Sequence, residues 1–144
     1  MVPRVPGAIE GEKLKILRVT GTAEPQDWDG LSGGQHLWWH AGMRPGDVLA
    51  LEFGAPKAGR YKVIARFLRA RDYGVHQLAI NGTKAGDPID FYNPDVRPTD
   101  EVVLGTFDLK ESGNELTATV IGANEKAVKA YMFGLDYLLL KPAE

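Results

Sequence analysis

The stretch Gly33–Gly42, GGQHLWWHAG, holds two of the chain's three histidines and two of its three tryptophans. On a helix, His36 and His40 would stand four apart on one face, spaced to share a zinc ion. On a strand they lie roughly 13 Å apart at ~3.3 Å per residue, out of reach of an ion that holds each nitrogen at ~2 Å. Glycines at 33, 34 and 42 bracket HLWWH, and its tryptophans favour extended backbone. The strand is the expected conformation, with no metal at the two histidines. Alternation then sends Leu37 and Trp39 to the core face, and His36, Trp38 and His40 to the other. An indole between imidazoles suits stacking against a sugar or another ring. The alternative for Trp38 is packing under the long connection from Thr20 to Gln35.

The same alternation recurs on both sides. DVLALEF sets Leu49, Leu51 and Phe53 on one face, and RYKVIARFLRA alternates Tyr61, Val63, Ala65 and Phe67 with Lys62, Ile64, Arg66 and Leu68. HQLAI runs into Asn81-Gly82, a strong hairpin signal. EVVLGTFDL and ELTATVIG are expected to meet across the turn KESGN, and YMFGLDYLLLK closes the chain. Between these runs, 17 glycines and 9 prolines supply turns. Roughly nine or ten short strands so punctuated indicate an all-β sandwich or barrel. Only Asn124–Met132, NEKAVKAYM, reads helically, with one turn or a loop as the alternatives.

The 144 residues suffice for one domain with a real core. Residues 1–7, with Pro3 and Pro6, read as an extended lead-in, and residues 8–144 as a single β-sandwich domain. A net charge of −2 gives no basic excess for nucleic acid, and no apolar run approaches the ~20 residues of a membrane span. The absence of cysteine excludes disulfides, thiol nucleophiles and Cys-based zinc sites. The opening has no apolar signal-peptide core; the expectation is a module of a longer secreted chain, with a cytoplasmic protein as the alternative.

Three acids fall among apolar neighbours. Extended, AIEGEKLKIL puts Glu10 and Glu12 on the face of Ala8, Leu14 and Ile16, while FGLDYLLLK puts Asp136 with Leu138 and Leu140. Ionised carboxylates so placed need partners or a metal. Oxygen ligands without sulfur or imidazole suit a hard cation, calcium before magnesium, which would tie the chain ends together. The alternatives are a bulge that turns the glutamates outward, or pairing with Lys13 or an arginine.

In order and spacing, these pieces resemble carbohydrate-binding modules of the family-6 and family-35 type. IEGE resembles their E-A-E opening, and HLWWHAGMRPGDVLALEF their aromatic, G-D and strand. APKAGRYKVIARFLRA is similar to their G-x-Y-x-V-x-x-R strand, LAING to their strand ending in N-G, and FGLDYLLLK to their closing strand. The resemblance runs from Ala8 to Lys141. It implies a β-sandwich jelly roll of the galactose-binding-domain-like kind, and a structural calcium on Glu10, Glu12 and Asp136. It also implies a non-catalytic module linked to a glycoside hydrolase or other secreted enzyme, with a sugar cleft among the loops. Two family positions differ here: Thr99 and Asp100 stand where a tryptophan is usual, and Gly134 where an asparagine is usual.

If strands alternate in direction, the loops AGMRPG, RDYGVH, YNPDVRPTD and ANEKAVKAY gather at one end. They supply Asp72, Tyr73, His76, Tyr92, Asn93, Asp95, Arg97, Lys129 and Tyr131, rings and polar groups of the kind a sugar needs. The expected ligand-binding set is His36, Trp38, His40, Asp72, Tyr73, His76, Tyr92, Asn93, Lys129 and Tyr131, for an oligo- or polysaccharide. A structural or protein-interaction spacer is the alternative from another class. A small glycan-active enzyme is the third: Asp27, Asp29, Asp72, Asp90 and Asp95 offer carboxyls, but no spacing pairs them as a glycosidase requires. No nucleophilic-serine or phosphate-loop motif is present.

Overall fold

The computed structural model describes residues 3–143. Its strands are β1 (Ile9–Glu10), β2 (Lys15–Val19), β3 (Thr22–Asp27), β4 (Gln35–His40), β5 (Val48–Phe53), β6 (Gly59–Arg69) and β7 (Val75–Ile80). There follow β8 (Thr83–Lys84), β9 (Ile89–Asp90), β10 (Arg97–Pro98), β11 (Val102–Leu109), β12 (Asn114–Gly122) and β13 (Phe133–Pro142). Two antiparallel sheets form the all-β sandwich expected from the alternation. One runs β10-β6-β13-β4-β3, the other β2-β5-β12-β7-β8. HLWWH lies in β4, paired Trp39 to Phe133 and Leu37 to Leu135 on β13.

Between the sheets, Leu37 and Trp39 meet Phe67, Phe91 and Phe133, all buried. Trp39 lies 6.5 Å from Phe133, edge to face, and its indole N–H donates to the Thr20 carbonyl at 2.7 Å. A buried indole thus keeps its one donor satisfied. Asn81 and Gly82 take the left-handed conformations (φ 50° and 83°) that a two-residue hairpin demands.

Two local expectations are corrected, and for Asn124–Met132 the loop alternative holds. β11 and β12 do not form a hairpin: β11 pairs with β6 in one sheet, β12 with β5 and β7 in the other, so KESGN crosses between layers. Asn124–Met132 contains no helix: Asn124 folds the segment into turns, its side-chain oxygen accepting from the Lys126 N–H and its carbonyl from the Ala127 N–H. Asn favours such side-chain turns over helix. The N-terminal run is not continuously extended: a 3₁₀ turn at Gly11–Lys13 separates β1 from β2, which pairs into the opposite sheet.

Both long strands of the first sheet share one edge between two short neighbours. β4 covers β13 from Phe133 to Leu135, and β1 takes over at Tyr137 and Leu138. β11 covers most of β6, and β10 its end. At the outer margins, β3 carries Pro25, and β2 bulges at Leu17 between Ile16 and Arg18.

Candidate functional site

The gap between β4 and β1 along β13 is where the acids meet. A bulge between Leu135 and Tyr137 leaves Asp136 without a cross-strand partner on β6, which re-aims it from the alternation expected with Leu138 and Leu140. Its carboxylate accepts from the Ser32 N–H at 3.1 Å and faces the Arg66 guanidinium at 3.5 Å. Ser32 also donates its hydroxyl to Glu10 Oε1 at 2.8 Å, so one residue of the β3–β4 connection bridges both chain ends. Arg4 Nε stands 3.8 Å from the same Glu10 oxygen. Gly11 is required at this crossing, since a Cβ there would run into the Leu135 carbonyl.

Glu10, Glu12 and Asp136 act on one another electrostatically. Burial pushes the Asp136 carboxyl up to about 7; Arg66 and the Ser32 N–H oppose this, and the two glutamates add to it. Glu12 is also raised, chiefly by burial. Glu10 Oε2 and Glu12 Oε1 are buried with no hydrogen-bond partner among the described residues. Such oxygens suit a hard cation, and arginines meet only part of the cluster's charge. Among the described residues, no three His, Cys, Asp or Glu side chains already close to ligating geometry.

The second candidate centres on Trp28, the most exposed of the tryptophans at 38%. β3 delivers it at the hairpin turn, where its N–H donates to the Gly34 carbonyl at 2.9 Å. It borders two recesses. One, about 660 Å³, runs along Asp27, Asp29, Gly33, Gly34 and Gln35. The other, about 110 Å³, lies toward Trp38, Tyr73, Val96 and Met132. The smaller takes Gln26 and Trp38 from one face of the first sheet, while the larger lies at the β3–β4 turn, where the paired Asp27 and Gln35 have the opposite parity. Trp28 and Gln26 were not expected site residues. The available signal was the long Thr20–Gln35 connection and its lone third tryptophan.

The expected ligand residues separate into groups. Trp38 is half-buried and stacks on His40 at 3.7 Å, and His40 Nε2 meets Glu24 Oε2 at 2.5 Å. His36 shares their face but is buried: its Nε2 meets Gln26 Oε1 at 2.7 Å, and burial lowers it to about 4. His76 is a core residue among Trp39, Phe91 and Phe133, its Nε2 donating to the Met132 carbonyl, and burial lowers it to about 4 as well. Neither imidazole presents a surface to solvent.

Three of the four loops, RDYGVH, YNPDVRPTD and ANEKAVKAY, are joined. Residues 70–74, 91–93 and 128–132 are joined by backbone bonds, among them Val128 N–H to Arg71, Met132 N–H to Asp72 and Asn93 N–H to Ala70. Asp72 and Tyr73 border the smaller recess. Tyr92, Asn93, Lys129 and Tyr131 lie outside both. Asn93 donates to the Asp95 carbonyl as a turn former, and Tyr131 takes φ 57° at the entry to β13. The Lys129 ammonium donates to its own loop's carbonyls at 124, 125 and 127, the nearest at 2.7 Å.

Gly134, which stands where the resembled family has an asparagine, has no room for a side chain. A Cβ there would lie 2.6 Å from His36 Nδ1 and 2.8 Å from the Tyr73 hydroxyl. The imidazole and the phenol occupy that volume.

This fold, over nearly the whole chain, is that of the family 35 carbohydrate-binding modules. The chain is similar to part of a Paenibacillus xanthan lyase, with 25% identity and a TM-score of 0.82 over 97% of this chain and 13% of that one. It is also similar to a family 35 carbohydrate-binding module from Clostridium thermocellum, with 19% identity and a TM-score of 0.58 over 95% and 99% of the two chains. A Podospora anserina GH26-CBM35 β-(1,4)-mannanase matches at 16% identity and a TM-score of 0.58, over 95% of this chain and 27% of that one. No family model and no curated protein matches the sequence.

Proposed function

We propose that the chain is a non-catalytic carbohydrate-binding module of a longer, secreted glycan-active protein, and that it holds its ligand around Trp28. One observation carries the reading: an exposed indole at the border of two recesses, on a fold shared with carbohydrate-binding modules. A flat ring offers a sugar's apolar face a large contact at small entropic cost, while neighbouring amides and carboxylates orient its hydroxyls. Asp27, Asp29 and Gln35 supply those groups along the larger recess, with Trp38 and Asp72 along the smaller. The likeness to short parts of longer glycan enzymes supports the larger parent.

In the same reading, Glu10, Glu12 and Asp136 hold a structural calcium. The ion would supply positive charge to the two unpartnered oxygens and fix the first and last strands together. The orphaned carboxylate oxygens support this.

The test is retention on immobilised glycans, read by glycan array and affinity electrophoresis. Wild-type protein is expected to be retained. Trp28→Ala should weaken retention about tenfold or more, at the scale of one stacked aromatic, with little change in melting temperature because the ring is exposed. Equal retention by Trp28→Ala would move the site elsewhere, and no retention on any glycan would overturn the reading.

A further inference from the structure

The two recesses beside Trp28 differ in kind. The smaller, about 110 Å³ against about 660 Å³, is of a size for a sugar substituent rather than for a run of sugars. Leu68, Ala70, Val96 and Met132 give it apolar walls between the two indoles. Two residues of the lining carry donors. The Tyr73 side chain is buried, and its hydroxyl makes no hydrogen bond among the described residues. Gln26 has its oxygen engaged by the His36 ring N–H, which leaves its amide N–H groups free. The one charged residue of the lining is Asp72, and no lysine or arginine borders it.

A group that fits must be small, carry a methyl or similar apolar end, accept a hydrogen bond and bear no negative charge. A hydroxyl or hydroxymethyl would leave the apolar walls uncovered. A carboxylate would meet Asp72 with no compensating cation. An acetyl group meets each condition: its methyl packs between Leu68, Ala70 and Met132, and its carbonyl accepts from Tyr73 or Gln26. In an acetamide, the N–H can donate to Asp72. We propose that this recess receives the acetyl substituent of a sugar stacked on Trp28, so that the module selects acetylated glycans. The inference rests on the carbohydrate-binding reading and specifies which members of that class are bound.

The experiment compares acetylated and unacetylated partners of the same glycans on one array: N-acetylated oligosaccharides against their hydroxyl counterparts, and O-acetylated polysaccharides before and after alkaline deacetylation. The acetylated partner should bind about tenfold or more tightly, the scale of one buried methyl group in a fitted pocket. A preference confined to amides assigns Asp72 a role; one shared by amides and esters assigns the selection to Tyr73, Gln26 and the apolar walls. Tyr73→Phe, and Gln26→Glu, which keeps an oxygen for the buried His36 ring while removing the amide donors, should each reduce the preference for the acetylated partner. Retention without any acetyl preference, or a preference untouched by both substitutions, overturns this inference and leaves the carbohydrate reading standing. Failure to retain any glycan overturns both.

Discussion

His36 and His76 show how a titratable residue becomes a packing residue. Each is buried and lowered to about 4, with one ring nitrogen bonded and Nδ1 without a partner. In the unfolded chain both take up a proton near 6.5, and the folded state resists protonation until about 4. The unfolded state therefore binds more protons across this window, and stability falls as pH drops through it. The loss is about 3 kcal/mol per histidine once pH is below the folded value. Asp136 acts in the opposite sense, since a carboxyl raised to about 7 is relieved by acidification from there. Urea unfolding between pH 6.5 and 4 should show the net decline, and an Asp136→Asn background should make it steeper. A flat profile in that background would mean the imidazoles are open to solvent.

At the scale of elements, the β4–β13 pair explains a family position that differs. Gly134 lies opposite Trp38 in the ladder, and its side-chain volume belongs to His36 and Tyr73. Gly134→Asn should destabilise the protein by about 1–3 kcal/mol through overpacking, read as a lowered urea midpoint. The loss should shrink in a His36→Ala background, where the volume is vacated; equal losses in both backgrounds would show that His36 is not the obstacle. Strand β4 and its parity were legible in HLWWH, because alternation with bulky residues admits one buried face. The glycine's meaning was not, since it depends on a histidine and a tyrosine from other elements. The expected β11–β12 hairpin failed for a related reason: KESGN has good turn chemistry, but turn chemistry does not say whether the next strand pairs back or crosses to the other sheet. Asn124–Met132 carried helical periodicity, and Asn124's side-chain bonds gave the backbone a competing turn. Trp28 escaped notice because a single aromatic in a loop has no period to announce it.

At the scale of the molecule, the acids of the first and last strands meet only because the sandwich brings β1 against β13. Their convergence was legible as misplaced charge in apolar runs, while the bulge at Asp136 and the bridging Ser32 were not, since neither leaves a pattern in sequence. If calcium completes the cluster, saturation at about a hundredfold over Kd should add about 2.7 kcal/mol and raise the melting temperature by about 5–10 °C. Chelation should reverse the rise and Asp136→Asn should abolish it, both followed by calorimetry. An unchanged melting temperature would mean that Arg4, Arg66 and Ser32 suffice to hold the acids.

The outer margins of the two sheets bear on behaviour at high density. Pro25 lacks the N–H that a neighbouring strand would need, and the bulge at Leu17 breaks the flat row of backbone groups on β2. Many copies gathered side by side on an insoluble scaffold would face local concentrations at which open strands zip into fibrils. With these two borders interrupted, neither β3 nor β2 offers a neighbouring copy a flat open strand to extend.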